Sequence, residues 1–240
     1  MTNAGRVPVI GLLLCGVLVV AAPAWARTRP PVAEQIAKTY GLDAFSQIEQ
    51  IRYAFNVAEV KLSRTWVWEP KTDQVSYEGK DKAGNPVKIT YLRSQLSSQA
   101  AVVKDDIDPA FINDQYWLVF PFHLVWDSSA KVEDTGTHKL LLGKGSARRV
   151  VVTYPVEGYS PGDTWELFLG TNNRIREWAY HHGGSAEPTG VWSWEDYKRA
   201  GPLLVSLTHR GTRLGKPARV SFSDVAVKLA GGADTWVKAK

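Results

Sequence analysis

The stretch "IDPAFINDQYWLVFPFHLVWD", residues 107–127, most constrains what this chain can fold into. Asp108-Pro109 reads as an N-cap followed by a first helical residue, and Pro121 reads as a stop. Together they predict a helix of about three turns from Pro109 to Phe120. Its strongly polar interior residues, Asn113, Asp114 and Gln115, are consecutive, so at about 100° per residue they point in three directions. Phe111, Ile112, Tyr116, Trp117, Leu118, Val119 and Phe120 fill the rest of the wheel. The segment is too polar and too Pro-broken to span a membrane. A helix apolar on most sides must be surrounded by protein or by an apolar ligand. Both roles stay open from the sequence: a plug that is simply core, or a wall of a cavity.

The rest of the chain supplies the surroundings. Pro31 suits a first helical position, Val32, Ile36 and Tyr40 follow at spacing four, and Gly41 suits a C-cap. A short second helix or turn fits Leu42 to Ile48. The period then changes to two. Ile51, Tyr53, Phe55 and Val57 alternate with Arg52, Ala54, Asn56 and Ala58, which is a half-buried strand. In "SRTWVWEP", Arg64, Trp66 and Trp68 share one face. "QVSYEG" and "VKITYL" follow, separated by turns at "PKTD" and "KAGNP". After the aromatic helix come "HKLLLG" and "ARRVVVTY" around Gly143-Lys144-Gly145, then "TWELFLG" and "RIREWAYHH" around "TNN". "GVWSWEDYKR", "LLVSLTHR" and "ARVSFSDVAVKL" complete the set, the last with a bulge expected near Ser223-Asp224. The pattern predicts a mainly β domain with few helices. Its single antiparallel curved sheet or incomplete β-barrel has about ten strands, with helices covering the concave side.

The N-terminus bounds the compartment. Arg6, an apolar run from Val7 to Ala22, and Ala24-Trp25-Ala26 fit a signal peptide over residues 1–26, cleaved after Ala26. The apolar run is shorter than the roughly 20 residues of a spanning helix. Cys15, the only cysteine, falls inside that leader, so residues 27–240 form one exported, periplasmic domain without disulfide or thiolate chemistry. The net charge is a mild +5, and the basic residues are scattered apart from Arg148-Arg149. Nucleic acid is not an expected partner.

A family resemblance rests on the order of elements and on the C-terminal strands. "LVSLTHRGTRLGKPARVSFSDVAVKL" resembles the terminal strand pair of outer-membrane lipoprotein-sorting proteins, and "WELFLGTNNRIREW" resembles the hairpin before it. "INDQYWLVFPFHLVWD" is similar to a segment of poorly characterised members of the wider LolA/LolB-like superfamily of periplasmic lipoprotein carriers. The resemblance implies an incomplete antiparallel barrel whose open side is covered by helices. It also implies an apolar cavity that shields acyl chains, gated by a basic residue for which Arg64 is the nearest candidate.

Catalytic and metal signatures are lacking. His181 and His182 are adjacent on a strand and face opposite ways, while His123, His138 and His209 are isolated. Among Asp105, Asp106, Asp108 and Asp114, only Asp106 and Asp108 keep a calcium-loop spacing, and Pro109 follows at once. G-x-S-x-G is absent, and "GKGSARR" is a hairpin turn rather than a phosphate loop. Glu195 and Asp196, being adjacent, cannot form a matched carboxylate pair. The Trp66/Trp68 and Trp192/Trp194 pairs each share a face and offer an alternative role, a carbohydrate or cell-wall binding module. The expectation is a non-enzymatic monomer with no cofactor and no metal. It binds a hydrophobic ligand such as a lipid or acyl chain and makes transient contact with envelope membrane proteins. The candidate cavity residues are Arg64, Trp66, Trp68, Phe111, Ile112, Tyr116, Trp117 and Phe120.

Overall fold

A computed structural model describes residues 29–158, 160–232 and 234–240. The leader expected over residues 1–26, with Cys15, lies outside these described residues. The first helix, α1, spans Pro31–Tyr40 and buries Val32, Ala33, Ile36, Ala37 and Tyr40, the apolar stripe read from the sequence. Gly41 ends it at φ 110°, its N–H bonding to the carbonyl of Lys38 at 3.1 Å. A Cβ at Gly41 would come within 2.5 Å of the Pro202 carbonyl oxygen, so only glycine fits this close approach. A short 3-10 turn over Leu42–Gln47 follows.

Thirteen strands then build one sheet. β1 is Ile48–Val57, β2 Leu62–Glu69, β3 Gln74–Lys80 and β4 Pro86–Leu92; β5 is Lys131–Lys139, β6 Ser146–Thr153, β7 Thr164–Leu169 and β8 Ile175–His181. β9 is Gly190–Ser193, β10 Glu195–Ala200, β11 Leu203–Arg213, β12 Lys216–Leu229 and β13 Val237–Lys238. The sheet is antiparallel in order β4-β3-β2-β1-β12-β11-β9-β8-β7-β6-β5, with β10 paired to β11 and β13 to β12. β4 and β5 are its unpaired edges, so the barrel stays open. The bulge expected near Ser223-Asp224 is present: Arg52 pairs with Ala226 but Ala54 with Ser223, and Asp224 adopts φ 54°.

The long helix, α2, runs Asp108–Trp126 between the two edge strands in sequence. Its rings show how far the sheet curls. Phe111 lies 5.4 Å from Trp66 on β2, while Phe120 lies 5.3 Å from Trp165 on β7. Those strands are six places apart in the order, which in a flat sheet would be roughly 29 Å at 4.8 Å per strand. One helix about 10–12 Å across reaches both because the sheet wraps around it. α1 packs on α2 as well. Thirteen of the 19 residues of α2 are buried, Asp108, Asp114 and Gln115 among them, as a helix without a polar face requires.

Several boundaries differ from the sequence reading. Pro121 does not end the helix. It gives up one backbone hydrogen bond, but Phe122 and Leu124 beyond it are 2 % and 0 % exposed, and their burial offsets the loss. Asp108 is not an N-cap. A π-turn over Val103–Ile107 leads into α2 with Ile107 already helical, and the buried Asp108 carboxylate instead accepts from Tyr91 Oη at 3.0 Å and Arg93 Nε at 2.8 Å. "HKLLLG" is only the end of a strand. β5 begins at Lys131, and residues 140–145 turn the chain, with the N–H groups of Leu141, Leu142 and Gly143 bonded to the buried Glu177 carboxylate at 2.7–3.0 Å. "GVWSWEDYKR" is two strands: Trp194 N–H leaves for the Arg176 carbonyl at 2.8 Å, and Asp196 takes φ 51°. That split, with the short C-terminal strand β13, brings the count from about ten to thirteen among the described residues.

A candidate ligand cavity

A cavity of about 550 Å³ opens between the first half of α2 and one end of the curled sheet. From α2 it is lined by Pro109, Ile112, Asn113, Tyr116 and Trp117. These residues span an arc of about 140° on the helical wheel. The sheet contributes Phe55, Leu62 and Arg64 from one side, and Trp165, Tyr180 and Trp192 from the other. The rim is made of turns: Glu59 and Val60 after β1, Ser160 and Asp163 before β7, Arg213 and Lys216 in the β11–β12 hairpin. The volume falls in the range of small-ligand pockets, about 300–1,000 Å³.

One of the polar lining residues, Arg64, is anchored behind the wall by a buried ion pair. Arg64 donates to Asp114 through Nε at 2.7 Å and through a terminal nitrogen at 2.5 Å, a bidentate fork. Trp66 Nε1 and Asn113 Nδ2 add bonds of 2.9 and 3.0 Å to the same carboxylate. Asp114 is fully buried, whereas the Arg64 side chain is 17 % exposed and borders the cavity. Burial pushes Asp114 up to about 6, against the opposing pull of Arg64 and then of Asn113 and Trp66. Across the cavity, Asp163 accepts from Tyr180 Oη at 3.0 Å and from Gly183 N–H at 2.8 Å. Burial first, then Asp163, raises the Tyr180 phenol above its ordinary value.

Further along α2, Asp127 gathers Tyr116 Oη at 2.9 Å, Tyr154 Oη at 2.7 Å and His123 Nδ1 at 3.0 Å. Burial works to raise this carboxylate, but the bonds from His123, Tyr154 and Tyr116 outweigh it and hold it below the usual range. The network ties the cavity residue Tyr116 to the segment just after β6 and to the end of the helix.

Of the eight residues singled out from sequence, Arg64, Ile112, Tyr116 and Trp117 border the cavity. Trp66, Trp68, Phe111 and Phe120 sit in the core instead. Phe111 lies on the opposite side of the α2 wheel from the lining arc; Phe120 is on the same side but one turn beyond the cavity. The Trp pairs proposed as a sugar platform are interior: Trp66 is 0 %, Trp68 8 %, Trp192 4 % and Trp194 4 % exposed, and of the four only Trp192 touches the cavity. The rim residues were invisible in the sequence because turns far apart in the chain meet only once the strand order is known. No local signal in the sequence marks Asp114 as the partner of Arg64, 50 residues away.

No family model matches the sequence, and no curated protein matches it. Solved structures do. A DUF1329 family protein from Desulfovibrio piger matches with a TM-score of 0.41 at 8 % identity, over 85 % of this chain and 94 % of that one. A putative outer membrane lipoprotein-sorting protein domain from Vibrio parahaemolyticus gives 0.43 at 10 %, over 84 % and 95 %. The Mycobacterium tuberculosis lipoprotein LppX gives 0.29 at 9 %, over 82 % and 95 %. No helix among the described residues is long and apolar enough to cross a membrane.

Proposed function

We propose that this chain is a non-enzymatic, exported binder or carrier of a hydrophobic ligand, a lipid or acyl chain held in the cavity beside α2. The observation that carries this reading is the cavity itself: about 550 Å³, with Phe55, Leu62, Ile112, Trp117, Trp165 and Val220 on its wall. Apolar side chains on this wall meet water when the cavity holds no ligand, so covering them with an acyl chain is favourable. Arg64, whose fork holds Asp114 and whose side chain borders the cavity, is the candidate gating residue of this reading.

Native mass spectrometry of the gently purified protein tests this, with uptake of a fluorescent fatty acid as the second readout. A co-purified lipid and saturable uptake are expected. Ala218→Trp, which fills the cavity from β12, should abolish uptake and leave the fold intact. An empty protein that takes up no probe in either form defeats the reading.

A further inference from the structure

We propose that the cavity mouth docks on the surface of an anionic phospholipid bilayer through three loop tips, Val60, Val156 and Leu214. This goes beyond ligand binding, which needs no membrane contact. Among the large hydrophobic side chains exposed in the described residues, these three are the most exposed, at 69 %, 75 % and 74 %. They come from unrelated parts of the sequence: the β1–β2 turn, the loop joining β6 to β7, and the β11–β12 turn. Strand register places all three at one end of the sheet. Val57 pairs with both Leu62 and Val220, Arg213 with Lys216 and Gly190, and Thr164 with Thr153 and His181. That end is where the cavity opens, with Val60, Ser160, Arg213 and Lys216 on its rim.

The backbone of the tips adds a second argument. Leu214 sits at φ 50° and Gly215 at φ 75°, a two-residue hairpin turn of the kind that strongly favours Asn-Gly. Leucine there is unfavourable for the backbone and buries nothing in exchange. Lys61 holds the β1–β2 tip at φ 51° in the same way. Aliphatic side chains on separate, outward-pointing turns fit a fluid apolar layer, whereas a protein groove would ask for one continuous patch.

Charge around the tips selects the surface. Lys61, Arg213 and Lys216 are exposed, and none forms an ion pair among the described residues. Several cations elsewhere on the surface are held in ion pairs, such as Lys38 with Glu34, Lys88 with Glu78 and Arg148 with Asp134, whereas these three keep their charge free for a headgroup. Glu59 and Glu157 also lie at this end, so the rim excess is small. It suits reversible contact with anionic headgroups rather than permanent attachment. A mouth held against the bilayer lets an acyl chain pass between membrane and cavity without crossing water.

The test is co-sedimentation with vesicles containing phosphatidylglycerol, compared with vesicles of phosphatidylcholine alone. The protein is used as the cell produces it, with its N-terminus read by intact mass. Sedimentation with the anionic vesicles is expected, weakened by high salt. Val60→Asp, Val156→Asp and Leu214→Asp should each lower partitioning about tenfold, as expected for withdrawing one aliphatic side chain from the apolar layer. The triple variant should stay in the supernatant, and the double variant Val156→Asp/Leu214→Asp, whose two residues do not line the cavity, should retain its near-ultraviolet dichroism and fatty-acid uptake. In a Cys15→Ser background, an environment-sensitive dye on Leu214→Cys should shift to the blue on vesicles. The same dye on Leu141→Cys, at the opposite end of the sheet, should not. Wild-type protein left in the supernatant, a triple variant that sediments equally, equal binding to neutral vesicles, or the reverse dye pattern each overturn the proposal. Vesicle binding without fatty-acid uptake supports docking while removing the cavity reading, so the two fail separately.

Discussion

Asp114 offers the most quantitative perturbation. Its carboxyl rises from an ordinary value of 3.8 to about 6 on folding, so between those values the unfolded chain has released a proton that the native state still holds. Stability therefore falls as pH climbs through this window. At 1.36 kcal/mol for each pH unit, the loss is about 3 kcal/mol, complete above the folded value. Asp114→Asn keeps the shape but removes the titration. Its bond to Arg64 is weaker at every pH, an offset that cancels when only the slope is read. Urea unfolding followed by tryptophan fluorescence, on both proteins from pH 4 to pH 7, should show wild type losing about 3 kcal/mol relative to the variant as pH rises. The paired comparison is necessary because His209 pulls the other way in the same range. A flat difference would mean that Arg64 and Trp66 fully offset the cost of burial. A difference that grows in favour of wild type would mean that the ion pair wins outright, and the argument from desolvation would be refuted.

Two further outcomes follow from buried polar groups. Burial holds His209 down to about 3, packed against Trp117, Trp194 and Phe222, so it stays neutral while the unfolded chain protonates near 6.5; its contribution is present above that value and lost as pH falls. Its ring proton resonances should not titrate between pH 7 and acid unfolding, and His209→Gln should flatten the acid limb of the stability curve; a normal titration near 6.5 contradicts the burial argument. Glu177→Ala strips the carboxylate from three loop amides and should cost about 2–4 kcal/mol, with hydrogen-exchange protection lost first at Leu141, Leu142 and Gly143. Unchanged protection there would show that the loop holds itself.

Legibility followed periodicity and failed where a residue's role depends on a distant partner. α1 was readable because its stripe, its Pro and its Gly all act within ten residues. The alternation in β1, β2 and β12 was readable because one face of each strand is core. β5 was half missed because "KVEDTGTHK" is an edge strand with Val132 alone buried, so the period-two contrast that marks a strand is gone. Pro121 carries a local stop signal that the burial of Phe122 and Leu124 beyond it overrides. α2 shows both sides of this. Its lack of a polar face was plain in the sequence and correctly demanded an enclosing sheet. The same three polar residues that break up that face each meet a different environment: Asn113 at the cavity, Asp114 on Arg64 and Trp66, and Gln115 in the interior. A helix can carry such residues only if the surrounding wall is itself uneven. It needs a cation at one point, tight packing at another and a gap at a third. The cavity and the buried ion pair are two consequences of that one constraint, which is why a change at Asp114 should register both in pH-dependent stability and in what the cavity admits.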